Sequence, residues 1–254
     1  MMNRLLNAFS VLELDVEDDK AETSSDAVVK DGGSSTKADK GKNSDKCSGK
    51  VNVEKDNKED KRSSTTASGE YKLPLVWIDL EMTGLNIEVD RILEIACIIT
   101  DGSLTKSVEG PDLVIHQPKE NLDNMGEWCQ NHHASSGLTK KVLQSTVNER
   151  EAEKQVIEFV KKHVGTLTPL LAGNSVYVDF QFLKKYMPDL ASLFSHVLVD
   201  VSSVKALCIR WFPRDNKRAP SKDNKHRAMD DIKESIRELK YYKDTIFKPS
   251  KSKK

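Results

Sequence analysis

The sequence predicts an α/β fold in which a mixed sheet is covered by helices. Short apolar segments, typical of buried strands, occur along the chain together with longer segments whose apolar residues recur at helical spacing. Three strand segments come first, and each of the two later ones leads into a helical segment. A length of 254 residues without internal repeats suits one sizeable domain with additional segments.

The first three strands form a predicted antiparallel meander. Residues 75–80 are mostly apolar, which suits a central strand, and residues 91–100 are apolar after their first positions. Asp101 and Gly102 predict a tight turn, after which residues 113–116 form the third strand.

Helices and two further strands fill the rest of this region. Residues 149–163 are predicted to be helical because Val156, Phe159, Val160 and His163 line one side. The remaining predictions, in chain order, are a strand at 170–172 that ends at Gly173, a helix through Phe182, Leu183 and Tyr186, a strand at 197–199, a helix at 202–211, a basic loop at 213–225 and a last helix at 229–242.

The two ends of the chain differ from this central region. Residues 15–70 are rich in Asp, Glu, Lys, Ser, Gly and Thr, with too few apolar residues to form a core. We therefore expect a disordered N-terminal extension at 1–70, a folded domain at 71–245 and a basic tail at 246–254. The extension is a candidate binding segment for a partner that the sequence does not identify.

Composition narrows the environment and the partners. The formal net charge is zero, so no overall field indicates a nucleic-acid partner. Local basic clusters either form a solvated surface or attract phosphates; they comprise Arg214, Lys217, Arg218, Lys222, Lys225 and Arg227, and Lys248, Lys251, Lys253 and Lys254 in the tail. The four cysteines lack paired spacing, which favours a reducing compartment, and no apolar run reaches membrane-spanning length.

Three acidic residues lie at the predicted ends of buried elements. Asp79 and Glu81 are two apart on a strand, so their side chains share a face near its C-terminal end. Asp179 follows Gly173 and lies at or near the start of a helix. Taken singly, each has an ordinary explanation as a surface carboxylate or as an acid that interacts with free N–H groups at a helix start.

The last helix adds a histidine and a fourth acid. At about 100° per residue, Asp231 lies at the edge of the face that Ile232 marks as buried, whereas Asp230 is expected to point to solvent. His226 precedes this helix and is either a solvated loop residue or a proton acceptor. Hard cations prefer oxygen ligands, so the four acids and the histidine together indicate a two-metal site for phosphodiester cleavage.

Three long motifs give this pattern a family resemblance. They are residues 77–85 around Asp79 and Glu81, residues 128–138 with Trp128, His132 and His133, and residues 226–232. Over about residues 73–242 the chain resembles the DEDDh class of 3′-to-5′ exonucleases and, within it, the oligoribonuclease family. The resemblance implies a ribonuclease H-like fold with a mixed five-stranded sheet flanked by helices.

The resemblance also implies a role for each residue. Asp79 would bridge two Mg²⁺ or Mn²⁺ ions, Glu81 and Asp231 would hold one of them, and Asp179 would help to hold the other. His226 would accept the proton of the attacking water. The substrate would contact Leu85, which inserts between two bases, Trp128 and His133, which line the pocket, and Ser175, which contacts the 5′ end.

One segment departs from the family pattern. Many members carry Tyr-Arg shortly before Asp-Val-Ser, and the partner subunit of a homodimer uses that pair to cap the 5′ phosphate. This chain has His196 and Val197 in that place. The departure leaves the catalytic residues unaffected but puts the cap, and the strict preference for dinucleotides, in doubt.

The resulting hypothesis is a homodimeric, metal-dependent 3′-to-5′ exoribonuclease that degrades short RNA oligonucleotides, dinucleotides above all, to 5′-mononucleotides. The alternatives are a DEDDh exonuclease that trims longer RNA or DNA, a binding module without catalysis, and a structural protein with coincidental acids. By resemblance the expected location is mitochondrial, with cytoplasmic or nuclear as alternatives, and no membrane association is expected.

Overall fold

A computed structural model describes residues 71–221 and 227–247 of the chain. The predicted extension at 1–70, most of the basic tail and His226 lie outside these described residues. Five strands form one sheet in the order β3-β2-β1-β4-β5. They are β1 (Leu75–Met82), β2 (Ile92–Thr100), β3 (Ser107–Val114), β4 (Leu170–Gly173) and β5 (Leu198–Asp200).

Helices fill the connections between the strands. Three precede the long helix α4: α1 (Lys119–Asp123), α2 (Glu127–Ser135) and α3 (Leu138–Gln144). The others are α4 (Glu149–Val164), α5 (Tyr177–Tyr186), α6 (Pro188–Ala191), α7 (Val201–Trp211), α8 (Pro213–Asn216) and α9 (Ala228–Thr245). Within the described residues, no helix combines the length and apolar character needed to cross a bilayer.

The predicted mixed sheet is confirmed. Strand β1 pairs antiparallel with β2, which in turn pairs antiparallel with β3. On its other side β1 pairs parallel with β4, and β4 pairs parallel with β5. The C-terminal ends of β1, β4 and β5 therefore meet at one edge of the sheet, where loops leading to helices collect polar residues.

Several local predictions need correction. The third strand runs from Ser107 to Val114 and so begins earlier than predicted. The turn before it is a six-residue loop rather than a two-residue tight turn, because the Asp101 carboxylate accepts the backbone N–H groups of Thr105 and Lys106. The predicted loop after α7 begins with the short helix α8, where Pro213 provides the fixed φ of a first helical position. Helices α1 to α3 were not predicted, because their sequences show no clear apolar period.

The alternation of β1 side chains places the acids. Val76, Ile78 and Leu80 pack into the core on the α4 and α5 side of the sheet. Leu75 and Trp77 pack on the opposite side with Ala228 and Ile232 of α9. Because side chains alternate along a strand, Asp79 and Glu81 continue the second set and face α9.

Candidate metal centre

Three of the four predicted metal-binding acids converge. Carboxylate oxygens of Asp79, Glu81 and Asp231 lie within 4.8 Å of one another, and all three side chains are partly buried. Strand β1 supplies the first two, and the first turn of α9 supplies Asp231. Asp230, which was expected to point to solvent, is also partly buried.

The fourth acid reaches the same strand from α5. Asp179 is buried, and its Oδ1 accepts the backbone N–H of Leu80 at 2.9 Å, between the two strand acids. Pairing between β1 and β4 covers only Leu75 to Trp77, so the edge of β1 beyond that point is available to a side chain. The chain reversal after Gly173 brings α5 to this edge.

Electrostatics at this cluster favours a bound cation. Burial raises the pKa of Glu81 well above its ordinary value, and the charges of Asp231, Glu94 and Asp179 raise it further, while Arg227 lowers it. Burial also raises the pKa of Asp179 to about 7, although the N–H of Leu80 opposes this increase. Four carboxylates with oxygen donors alone suit a hard divalent ion, which would offset their mutual repulsion.

A buried ion pair lies directly beneath the cluster. Glu94 is the partner of Glu81 in the β1–β2 pairing and is fully buried. Arg227, which occupies the position just before α9, donates from Nε to Glu94 Oε1 at 3.1 Å and from its terminal nitrogen to the same carboxylate. The pair fixes the start of α9 against β2 and so helps to place Asp231. Burial and Glu94 raise the pKa of the nearby Asp112.

His133 lies closer to the acids than its predicted substrate role required. It is 2% exposed, and its Nε2 lies 2.9 Å from the carbonyl oxygen of Met82. Because a carbonyl only accepts, Nε2 donates. The other ring nitrogen, Nδ1, lies 3.9 Å from Glu81 Oε2. Burial lowers the pKa of His133, so the neutral ring is favoured.

Trp128 and Leu85 lie on the surface or near it. Trp128 is 38% exposed, and its ring stacks on His132 at 4.3 Å between centroids with planes 10° apart. This leaves part of the indole accessible. Leu85 is partly buried in the loop that follows β1.

Ser175 belongs to a polar cluster at the ends of β4 and β5. Its φ is +52°, and its N–H donates to Asp200 Oδ1 and to Ser202 Oγ, each at 3.0 Å. The hydroxyls of Ser175 and Ser202 lie 3.1 Å apart. His196 and Val197, the departure from the family pattern, are exposed just before β5.

Four residues near the site were not singled out as site residues from the sequence. They are Glu94, Arg227, Asp200 and Ser202. Asp200 and Ser202 carried a detectable signal, because an acid followed two residues later by a serine at a strand end is typical of a helix start, and Asp200 indeed caps α7. Glu94 carried none, since a buried acid in an apolar strand is recognised only once its cationic partner is known.

Comparison with known proteins supports the fold and identifies the family. Residues 76–239 match the exonuclease family. Solved structures of exonuclease I from E. coli and from Methylocaldum szegediense resemble the chain with TM-scores of 0.51 and 0.52, identities of 18% and 17%, and coverage of 69% of this chain. The chain covers 41% of each of those proteins, and the likeness concerns the fold alone.

Fold and acids together define an exonuclease domain of the DEDDh type. The sequence relatives are more specific. An oligoribonuclease of Arabidopsis thaliana is 63% identical over 97% of this chain and 99% of its own length. Mitochondrial oligoribonucleases of Mus musculus and Homo sapiens are 50% and 51% identical over 73% and 68% of this chain, and over 79% and 73% of their own lengths. The chain belongs to the oligoribonuclease family and is a 3′-to-5′ exoribonuclease.

Proposed function

We propose that this exoribonuclease degrades very short RNA oligonucleotides, dinucleotides above all, to 5′-mononucleotides, with two divalent cations and a histidine base. The observation that carries the proposal is the convergence of Asp79, Glu81 and Asp231 within 4.8 Å, next to Asp179 on the Leu80 N–H. Such an arrangement of carboxylates is costly unless it binds cations.

The four acids fit Mg²⁺ or Mn²⁺ by the chemistry of their donors. All are carboxylates, two on one strand and one on each of two helices. Three of them lie within 4.8 Å of one another, and Asp179 bonds to the same strand at Leu80. Bound there, two cations would stabilise the attacking and leaving oxygens of an in-line displacement at phosphorus. The protein's own contribution is to hold the acids in place, through the Leu80 N–H and the Arg227–Glu94 pair.

His226 is proposed to accept the proton of the attacking water. It lies outside the described residues, so the proposal rests on the sequence motif and on its neighbour. Arg227, the next residue, is held by Glu94, which lies opposite Glu81 in the sheet. An imidazole with an ordinary pKa near neutrality accepts a proton at physiological pH.

Four residues are proposed to bind substrate: Leu85 between two bases, Trp128 and His133 along the bases and sugar, and Ser175 at the 5′ end. The accessible indole of Trp128 supports base stacking, which is indifferent to sequence. The hydroxyl pair of Ser175 and Ser202 supports a phosphate contact at the opposite end. His133 is buried, so any contact would come from its ring edge beside Glu81.

A homodimer is part of the proposal. Helix α7 and the residue after it expose several large apolar side chains, a costly surface for a monomer; they are Leu207, Ile209, Trp211 and Phe212. Val197 is exposed as well. With His196 and Val197 in place of Tyr-Arg, the partner's cap on the 5′ phosphate would be weaker, and a longer RNA would be better tolerated.

The proposed domain organisation is an extension at 1–70, a catalytic domain at 71–245 and a basic tail at 246–254. The extension is proposed to bind a partner that the sequence does not identify. Mitochondrial relatives support a mitochondrial location, although the Arabidopsis thaliana relative carries no such description. Imaging the full-length chain beside one that lacks residues 1–70 tests the location and the contribution of the extension.

The experiment that tests the proposed activity compares substrates of different length. The purified full chain, with Mg²⁺, is given a 5′-labelled RNA dinucleotide, a seven-nucleotide RNA and a long RNA, each also as DNA. We expect kcat/KM to be highest for the RNA dinucleotide and the products to be mononucleotides. Equal or higher kcat/KM for the long strands would instead support an exonuclease that trims 3′ ends. Persistent cleavage with excess EDTA would contradict the metal requirement.

A further inference from the structure

The loop after β1 is closed around one carboxylate. Asp90 Oδ1 accepts the hydroxyl of Thr83 at 2.8 Å, and Asp90 Oδ2 accepts the backbone N–H of Asn86 at 2.8 Å. The same Thr83 hydroxyl accepts the N–H of Arg91 at 3.0 Å, and the N–H of Thr83 donates to the Arg91 carbonyl. Both carboxylate oxygens are thus used inside the loop.

These two bonds hold the chain on either side of Leu85. Thr83 precedes Leu85 by two residues and Asn86 follows it. Between them, a Cβ at Gly84 would lie 2.5 Å from Asp90 Oδ2, so the carboxylate packs directly against the backbone there. The main chain that carries Leu85 is therefore fixed from inside the loop before any substrate is present.

The far side of the loop is fixed to α5. The hydroxyl of Tyr186 donates to the Ile87 carbonyl at 2.8 Å, whereas the Lys185–Glu88 pair is exposed and adds little to this attachment. Helix α5 also carries Asp179, which bonds to Leu80. Leu85 and the acid cluster are consequently attached to the same strand and the same helix, which favours a constant distance between them.

We propose that Asp90 is a positioning residue for substrate binding, which acts by presenting Leu85 to the bases of a short oligonucleotide. The inference rests on the proposed role of Leu85. A flexible Leu85 would have to be ordered during binding, at a cost in affinity, whereas a loop that is already ordered avoids this cost. Both carboxylate oxygens of Asp90 are used within the loop, so its proposed effect on the substrate is exerted through Leu85.

The test is a double-mutant cycle with an RNA dinucleotide. Asp90→Ala is expected to raise KM about three- to tenfold with little change in kcat, because one or two ordered side chains are released. Leu85→Ala is expected to raise KM at least as much. If Asp90 acts through Leu85, the double variant will have the KM of Leu85→Ala alone. The dissociation constant of a non-hydrolysable dinucleotide provides a readout independent of turnover.

Two control variants separate positioning from a general loss of structure. In Asp90→Asn, the amide oxygen can still accept the N–H of Asn86, and the amide NH₂ can donate a hydrogen bond to the Thr83 hydroxyl oxygen. We therefore expect KM to be close to that of the parent. Glu88→Ala removes an exposed charge from the same loop without reaching Thr83 or Asn86, and it should also be near normal. The Mg²⁺ concentration for half-maximal activity should stay unchanged in all variants. Tm should fall by only a few degrees in Asp90→Ala, which loses two hydrogen bonds of the loop, and should change less in the control variants.

The outcomes are distinguishable. A normal KM for Leu85→Ala would show that the proposed role of Leu85 is wrong, and the inference about Asp90 with it. A raised KM for Leu85→Ala and a normal KM for Asp90→Ala would overturn only the role of Asp90. So would multiplicative effects in the double variant, which would mean that the two residues act separately.

Discussion

The backbone N–H of Leu80 donates to Oδ1 of Asp179 at 2.9 Å, across 99 residues of sequence. This bond attaches α5 to β1 at the point where pairing with β4 has ended. It places a buried carboxylate at the strand edge beside Leu80, which lies between Asp79 and Glu81 in the sequence. The polar atom that the strand leaves available at its edge is therefore used to position a fourth acid.

Asp179→Asn keeps an acceptor for the Leu80 N–H and removes the charge. We expect the concentration of Mg²⁺ needed for half-maximal activity to increase at least about tenfold, as for a lost interaction at a metal site. The metal-free variant should also have a higher Tm than the parent at pH 8, because the parent must bury an ionised carboxylate. Calorimetric titration and thermal unfolding measure the two effects. An unchanged metal requirement would contradict the assignment of Asp179.

Metal binding should weaken below neutral pH. The pKa of Asp179 is about 7, so this acid binds a proton in the metal-free protein as the pH falls below neutrality. The pKa of Glu81 is raised as well, which adds to the competition between protons and a cation. A cation must displace these protons, so its affinity should fall about tenfold per pH unit for each proton displaced. Mg²⁺ titrations at pH 6, 7 and 8 by thermal shift measure this. A Mg²⁺ concentration for half-saturation that stays the same from pH 6 to pH 8 would contradict this prediction.

The same shift predicts the stability of the metal-free protein. The folded pKa of Asp179, about 7, exceeds the ordinary value of 3.8, so the folded state binds more protons between these values. Stability without metal should therefore decrease as the pH rises from about 4 to about 7. Asp179→Asn should remove part of this dependence, which denaturant unfolding in EDTA at several pH values measures. An unaltered pH dependence in the variant would count against the raised pKa.

Asp231→Ala is expected to abolish turnover while the protein still folds, because the lost side chain is one of three acids within 4.8 Å. Asp230→Ala is the matched control. The two acids are neighbours in the first turn of α9 and are both partly buried, but only Asp231 belongs to the cluster. Rates are measured at saturating Mg²⁺. Near-normal turnover by Asp231→Ala, or an equal loss in both variants, would refute the assignment.

His226→Ala should lose about 10²–10⁴-fold in kcat, the range for a removed general base. Mg²⁺ binding should remain, because the four acids are intact. Single-turnover rates and metal titration separate the two properties. A variant that loses Mg²⁺ binding together with activity would indicate that His226 acts on the cations rather than on the proton.

Arg227→Met should destabilise the protein by about 3–5 kcal/mol, because it leaves the fully buried Glu94 carboxylate without its cationic partner. A second change, Glu94→Met, should recover most of this loss, since neither buried charge then remains. The free energies of unfolding of the parent, the single variant and the double variant are measured by urea titration. If the double variant is as unstable as Arg227→Met alone, the pair is not the source of the effect.

Much of the fold followed from local patterns. Strands β1 and β2 were predicted within two residues at each end, and the long helices α4, α7 and α9 within three, because their apolar periods and lengths are unambiguous. The prediction of a tight turn before β3 was wrong because the Asp101 carboxylate accepts the N–H of Lys106, five residues onward, and a two-residue turn signal does not reveal such a bond. Helices α1 to α3 are short, and their stability comes from packing rather than from their own pattern.

The residue types of the candidate site could be predicted from the sequence, but the hydrogen bonds and ion pairs that hold them in place could not. The sequence alone determined which side chains carry oxygen donors, which strand face Asp79 and Glu81 share, and the family to which the motifs belong. Only the tertiary structure decided that Asp179 takes its place on the Leu80 N–H, that His133 is buried beside Glu81, and that Arg227 neutralises Glu94. The physical reason is the separation along the chain of the groups that interact. Periodicity and motif spacing report neighbours along the chain, whereas desolvation and ion pairing depend on groups between 51 and 133 residues apart, which meet only when the sheet and helices pack.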